Sequence, residues 1–358
     1  MGGLILFDLS FYKGKRVLVT GHTGFKGTWL CRILMKAGAD VTGYSLEPPT
    51  DPNLFSLAEL ENSINSVTGD VRDFEHFYKV FETAQPEIVI HLAAQPIVRE
   101  SYKNPKYTYE TNVMGTVNLM ECVRRFPCVK SVLNVTTDKV YQNNEGCWGY
   151  REDEPLDGFD PYSNSKSCSE LVTHSYKNSF FHDRDIAVST ARAGNVIGGG
   201  DFAANRIIPD CVRAMERGEV IGVRNPYSTR PYQHVLEPLA VYLMIAAKQY
   251  EDARYQGYYN VGPDECDCVT TGALVDLFVK YWGGDATWEN QAEENAPHEA
   301  NFLKLDCSKL KATFGWKPRW HMEECMEITC RFSKVWLAGG DIPHEMDEEI
   351  KEFFAIGE

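Results

Sequence analysis

The sequence has no apolar run approaching the ~20 residues that cross a bilayer, which leaves no candidate membrane span. Its first apolar stretch, Leu4 to Leu9, is broken by Asp8 and lacks a basic leader, so no signal peptide is expected. Positive charge is also scarce: 36 Lys and Arg stand against 51 Asp and Glu, a formal net charge of −15. Such a field opposes nonspecific binding to nucleic acid or to an anionic membrane surface. An anionic substrate must therefore be held by a few locally placed arginines or lysines. Paired cysteines are missing too. Of the eleven, only Cys266 and Cys268 lie close together, no second pair stands at zinc spacing, and 358 residues is too long for a disulfide-stapled scaffold. Reduced thiols in a cytoplasmic protein without a metal are expected. A site built from Cys266, Cys268 and a distant histidine has little in the spacing to support it. There are no internal repeats and no low-complexity segments.

What is present is length, apolar content and alternation. At 43% hydrophobic residues the chain can bury a large core, as one large domain or two fused ones. Short β-branched runs alternate with longer amphipathic ones. Strands are predicted at Arg16–Thr20, Asp40–Tyr44, Ile64–Thr68, Ile88–Ala93, Ser131–Thr136 and Ile186–Arg192. Helices are predicted after the first strand through Ala37, stopping at Gly38, and near Phe74–Thr83, Tyr107–Phe126 and Tyr162–Phe181. Strand after helix after strand predicts an α/β fold, a Rossmann-like doubly wound parallel sheet. After Arg192 the alternation loosens into a smaller mixed α/β region that would cover the carboxyl ends of the strands. The division expected is a nucleotide-binding domain over 1–192 plus about 232–262, and a substrate domain over about 193–231 and 263–358.

The first strand runs straight into Gly21-His22-Thr23-Gly24-Phe25-Lys26-Gly27 and then a helix. Glycines at these places allow a tight turn, close backbone approach to a pyrophosphate and close helix–strand packing. The helix N-terminus adds free N–H groups and partial positive charge. The second strand ends at Ser45-Leu46, without the acid that grips an adenosine ribose and without an arginine for a 2′-phosphate, which favours NAD over NADP. Asp70 is placed to meet the adenine or, equally well, to cap a helix. Further on, Tyr162 and Lys166 stand four apart on one helical face. An ammonium beside a phenol lowers its pKa and makes it a usable base.

These motifs, with Leu92-Ala93-Ala94-Gln95, Asn112, Thr136-Thr137-Asp138-Lys139, Arg230, Asp306–Leu310 and Gly315–Pro318, occur in the order of the extended short-chain dehydrogenases/reductases. The resemblance covers nearly the whole chain. Within that superfamily it is similar to nucleotide-sugar 4,6-dehydratases, and the pairing of the glycine loop with Thr-Thr-Asp-Lys resembles the CDP-glucose 4,6-dehydratases. It implies a hydro-lyase that uses NAD and acts on a nucleotide-diphosphate hexose, CDP-glucose by resemblance alone. The implied catalytic residues are Thr137, Asp138, Lys139, Tyr162 and Lys166. Asp138 would protonate the leaving C6 hydroxyl, and Lys139, where many dehydratases have Glu, would take the C5 proton. Read without the resemblance, Lys139 is a solvated loop residue pairing with an acid. The implied cofactor residues are Gly21, Thr23, Gly24, Phe25, Lys26, Gly27, Asp70, Val71, Leu92, Ala93, Ala94, Asn112, Tyr162 and Lys166. Gln95, Arg99, Asn195, Arg206, Arg230 and His298 would bind substrate. Relatives pair through the helices near Asn112 and Tyr162, so a homodimer or dimer of dimers is implied, with Tyr107, Tyr109, Val113, Val172 and Tyr176 as candidate contacts.

Two other readings share most of these residues. A nucleotide-sugar 4-epimerase uses the same loop, Thr137 and Tyr/Lys pair, but needs no acid and base for water elimination. A non-catalytic NAD-binding regulator would lose the Tyr or the Lys, and this chain keeps both.

Overall fold

The computed structural model describes residues 7–292 and 302–355. Seven strands make one parallel sheet: β1 (Arg16–Thr20), β2 (Asp40–Ser45), β3 (Asn65–Thr68), β4 (Ile88–His91), β5 (Ser131–Thr137), β6 (Ala187–Ala193) and β7 (Tyr258–Val261). Their order across the sheet is β7-β6-β5-β4-β1-β2-β3. The chain therefore winds one way through β1, β2 and β3, then returns beside β1 and winds the other way. The gap between the ends of β1 and β4 is the switch point at which such sheets bind ligands.

The central strands β1, β4, β5 and β6 are buried along almost their whole length because helices cover both faces, whereas edge strand β3 is largely exposed. β4 stops two residues earlier than the sequence predicts. Thr20 explains this: its Oγ1 accepts the backbone N–H of both Leu92 and Ala93, each at 3.2 Å, and draws the chain out of the sheet. The helix predicted near Tyr107–Phe126 is one run from Pro105 to Arg125, widened to a π-helical turn at Glu110–Met114. We name its last part, Gly115–Arg125, α3, after α1 (Phe25–Lys36) and α2 (Phe74–Ala84). Beyond β5, α4 (Pro161–Tyr176) starts on an N-cap, Asp160, whose carboxylate accepts from Ser163 N at 3.0 Å. α5 (Leu236–Glu251) is apolar almost all round and buried along most of its length, and it leads into edge strand β7. Residues 236–261 thus return to the sheet after the excursion that begins at Gly194. That excursion and the chain after β7 add three two-stranded ribbons. One pairs Thr229–Pro231 antiparallel with Cys268–Thr270, setting Val269 opposite Arg230.

Among the described residues no helix is long and apolar enough to cross a membrane. All eleven cysteines are free thiols.

Candidate active site

The glycine loop closes over the switch point for steric reasons that can be read residue by residue. Gly21 has φ +75°, and a Cβ there would lie 2.8 Å from Ala93 N. This contact presses the loop after β1 against the loop after β4. Gly27 is more tightly constrained: a Cβ would come within 2.1 Å of Gly21 O and 2.7 Å of His22 Cα. Gly24 differs, since its Cβ would meet nothing nearer than Gly21 O at 3.4 Å. The fold itself does not require glycine there. A bare backbone N-cap at the mouth of α1 is the cradle that a pyrophosphate fills, so these residues fit a dinucleotide. Thr23 donates to Leu46 O and shares a bond with Ser45 Oγ, both 2.9 Å, which ties the loop to the end of β2.

Asp70 does not cap a helix: α2 is capped by Asp73, which accepts His76 N. Asp70 instead grips Arg72, with 2.6 Å to its Nη2. Burial works to raise the Asp70 pKa, but Arg72 prevails and the carboxyl stays below its usual range. Val71 is buried and faces Gly115 at the start of α3. Two predicted ligand contacts prove to be braces. Asn112 Oδ1 accepts Gln95 N at 2.8 Å, and its amide donates to Gln95 O and to Ser165 Oγ on α4. Gln95 in turn donates to Thr108 Oγ1 and accepts Ile97 N. Both are buried and bond to the protein around them, so they hold the loop after β4 in place.

At the end of β5 the predicted reactive residues come together. Thr137 Oγ1 donates to Asp138 Oδ1 at 2.9 Å, and it also shares a hydrogen bond with Tyr162. Lys166, one turn further along α4, is buried and donates to Val135 O at 3.1 Å. Asp138 is 2% exposed, and its Oδ2 has no hydrogen-bond partner among the described residues. Burial raises its pKa above the ordinary carboxylate value, against the pull of Lys139, the Thr137 bond, Arg230 and Lys26. A buried carboxyl held above its ordinary pKa suits a proton donor in that place.

The Tyr162 phenol departs from the sequence expectation. Its pKa is pushed up to about 12, because the protein wall around it outweighs the Thr137 hydrogen bond. Lys166 is in turn brought down to about 7 by burial, with Lys26 contributing. Lys26 lies at about 8, lowered by burial and by Arg206, and its Nζ is 5.9 Å from the centre of the Tyr242 ring. Lys166 and Lys26, and Tyr162 and Tyr242, thus lie near enough to act on each other's charge. Tyr242, on α5, is fully buried with an unpartnered hydroxyl. Nothing in the sequence points to it, since it sits inside an aliphatic helix.

Two of the substrate candidates, Arg230 and Arg206, lie near these residues. Arg230 is 4% exposed and close enough to act on the Asp138 charge. Arg206 pairs with Asp201 at 2.8 Å. Asn195 is half-buried on the loop after β6, where its carbonyl accepts Gln233 N. Arg99 is half-buried on the short helix Val98–Lys103. His298 lies outside the described residues.

Residues 18–329 match a family model described as GDP-mannose 4,6 dehydratase. The chain is 48% identical to a CDP-glucose 4,6-dehydratase of Salmonella typhimurium, covering 98% of this chain and 99% of that one. Among solved structures, a dTDP-glucose 4,6-dehydratase from Bacillus anthracis in complex with NAD superposes with a TM-score of 0.75 at 21% identity, over 89% of this chain and 96% of that one. A UDP-glucose 4-epimerase from Thermotoga maritima with UDP-glucose gives 0.77 at 22% identity, over 90% and 99%. At that identity both structures establish the fold alone.

Proposed function

The chain belongs to the GDP-mannose 4,6 dehydratase family, and from that premise we propose that it is an NAD-dependent hydro-lyase converting CDP-glucose to CDP-4-keto-6-deoxyglucose and water. The observation that carries this reading is Asp138: buried, raised in pKa and with one oxygen unpaired beside Thr137 and Tyr162. An epimerase moves no hydroxyl and has no use for such an acid. The relative at 48% identity supports the choice of nucleotide.

NAD, when bound, takes a hydride from the hexose and returns it. The chain supplies the rest. Thr137 and Tyr162 share the hydrogen bond into which a C4 hydroxyl would insert, and Tyr162 accepts its proton. A phenol near 12 does this poorly by itself. Restoring the positive charge on Lys166 one turn away lowers that barrier. Oxidation at C4 acidifies the C5 hydrogen, which Lys139 removes. Asp138 then protonates the C6 hydroxyl as it leaves as water. Arg230 and Arg206 hold the diphosphate, a task the net negative chain leaves to local cations.

The depressed lysines give the free enzyme a testable pH signature. A bound pyrophosphate restores their charge, so NAD binding takes up protons wherever they are partly neutral. Affinity is expected to be flat below pH 7, then to weaken up to about tenfold per pH unit and per lysine as pH rises through about 7 and 8. A dissociation constant unchanged from pH 6.5 to 9 would contradict it, as read by titrating intrinsic fluorescence.

Pairing of two chains through the Asn112 and Tyr162 helices fits their surfaces. Tyr109, Met114, Leu171 and Phe180 are exposed there, Met114 at 50% and Leu171 at 53%. Sedimentation should give a dimer at micromolar concentration, and Leu171→Glu with Met114→Glu should give monomers. A monomeric parent chain would refute this.

The function itself is tested by offering CDP-, dTDP-, UDP- and GDP-hexoses with NAD and following loss of one water by mass. Turnover of CDP-glucose is expected. Water loss from another nucleotide sugar alone would replace the cytidine, and isomerisation without water loss would replace the reaction with epimerisation.

A further inference from the structure

In the chain after β7, a turn and a helix separated by more than fifty residues bring three unlike donor atoms together. Cys266 and Asp267 belong to the short turn Glu265–Asp267, and His321 is the N-cap of the helix Met322–Leu337. His321 Nδ1 stands 2.8 Å from Asp267 Oδ2 and 4.0 Å from Cys266 Sγ, while Cys266 Sγ is 3.6 Å from the same Asp267 oxygen. Helix capping accounts for only part of this. Asp267 meets the helix with its other oxygen, Oδ1, which accepts Met322 N at 2.9 Å. Oδ2 is left facing the thiol and the imidazole.

We propose that Cys266, Asp267 and His321 form a zinc-binding site, with water as the fourth ligand. Sulfur, imidazole nitrogen and carboxylate oxygen are the ligand types zinc takes. Tetrahedral zinc with bonds of about 2.0–2.3 Å spaces its donors roughly 3.3–3.8 Å apart. The three observed separations bracket that range. An ion must part the His321–Asp267 hydrogen bond, displace the His321 side chain from its capping bond to the backbone of Glu324, and draw the thiolate inward. Binding sends the thiol proton, and any proton on His321 Nδ1, to solvent. Asp264 and Glu324 add negative charge nearby, both acting on His321. Asp267 is buried and fixed, whereas Cys266 and His321 are exposed, so the site is anchored on one side and open on the other. The spacing of Cys266 and Cys268 had suggested a different pair. Cys268 instead turns its sulfur toward Asp264 O at 3.9 Å.

The location has a consequence. Cys268–Thr270 continues directly from the turn and pairs with the strand that carries Arg230. An ion on the turn would therefore fasten the neighbour of the phosphate-binding arginine to the helix Met322–Leu337.

The test is equilibrium dialysis of the full chain against zinc, with cobalt as a spectroscopic probe. One tightly held zinc per chain is expected, weakened at least about tenfold in Cys266→Ser and in His321→Ala. The cobalt form should show a sulfur-to-metal charge-transfer band that Cys266→Ser abolishes and Cys147→Ser, at the other exposed thiol, preserves. No retained zinc in the parent chain, or equal retention in both ligand variants, would overturn the proposal. Cys266 is exposed, so its serine variant should fold, and zinc retention and the cobalt band are read directly rather than through turnover.

Discussion

Asp138→Asn is expected to lower the rate of water elimination by about 10²–10⁴-fold, the range for losing a positioned general acid, while leaving oxidation at C4 intact. Asparagine keeps the shape and can still accept the Thr137 hydroxyl, now 2.9 Å from Oδ1. It cannot deliver a proton to a departing hydroxyl. The oxidised sugar should therefore accumulate, visible as the near-ultraviolet absorbance of reduced nicotinamide, with little water lost. Lys139→Ala should give a similar loss of product by another route. In heavy water, the Asp138→Asn enzyme should exchange the C5 hydrogen, because its base is intact, and Lys139→Ala should not. Dehydration by Asp138→Asn at the parent rate would remove the acid. Exchange at the normal rate in Lys139→Ala would make Lys139 the solvated loop residue that its sequence also allows.

The second large effect is structural. Gly27→Ala places a methyl 2.1 Å from Gly21 O and 2.7 Å from His22 Cα. These are backbone atoms with no rotamer to yield, so α1 must move off the loop. A cost on the order of 3 kcal/mol is expected, seen as a lower melting temperature, together with loss of NAD binding. Gly24→Ala separates the two roles. Its methyl meets only Gly21 O at 3.4 Å, so melting should stay near the parent value while NAD binding suffers. Parent-like melting of Gly27→Ala would show that the loop yields more readily than its contacts imply. Parent-like NAD binding by Gly24→Ala would mean that the pyrophosphate does not approach there.

The two glycine variants also mark how far a local pattern reaches. The motif predicted a phosphate loop at 21–27, and the loop is there, but only the packing of Ala93 and His22 distinguishes the glycines the fold needs from the one a ligand needs. In the same way, four-residue spacing put Tyr162 and Lys166 on one helical face, and the order of residues put Thr137, Asp138 and Lys139 at the end of a strand. The sheet was equally legible, because its strands are short, β-branched-rich runs and the helices between them are longer and amphipathic.

The roles of Asn112, Gln95 and Asp70 were read from their places in motifs, and each turned out to depend on a partner. Two of them brace each other between β4 and α4, and the third holds Arg72. The sign of the Tyr162 shift was misjudged for a related reason. The sequence showed the lysine beside the phenol but not the walls around both, among them α5 with Tyr242, which arrives some eighty residues later. The sequence by itself therefore determined the sheet, the loop and the places of Thr137 and Asp138 at a strand end and of the Tyr162 and Lys166 face on a helix, since these rest on spacing within a helix turn or along a strand. The pKa shifts of Asp138, Tyr162, Lys166 and Lys26, and the meeting of Cys266 with His321, were decided by tertiary structure alone. Desolvation and charge coupling act through space, and which atoms share that space is fixed only when distant segments pack.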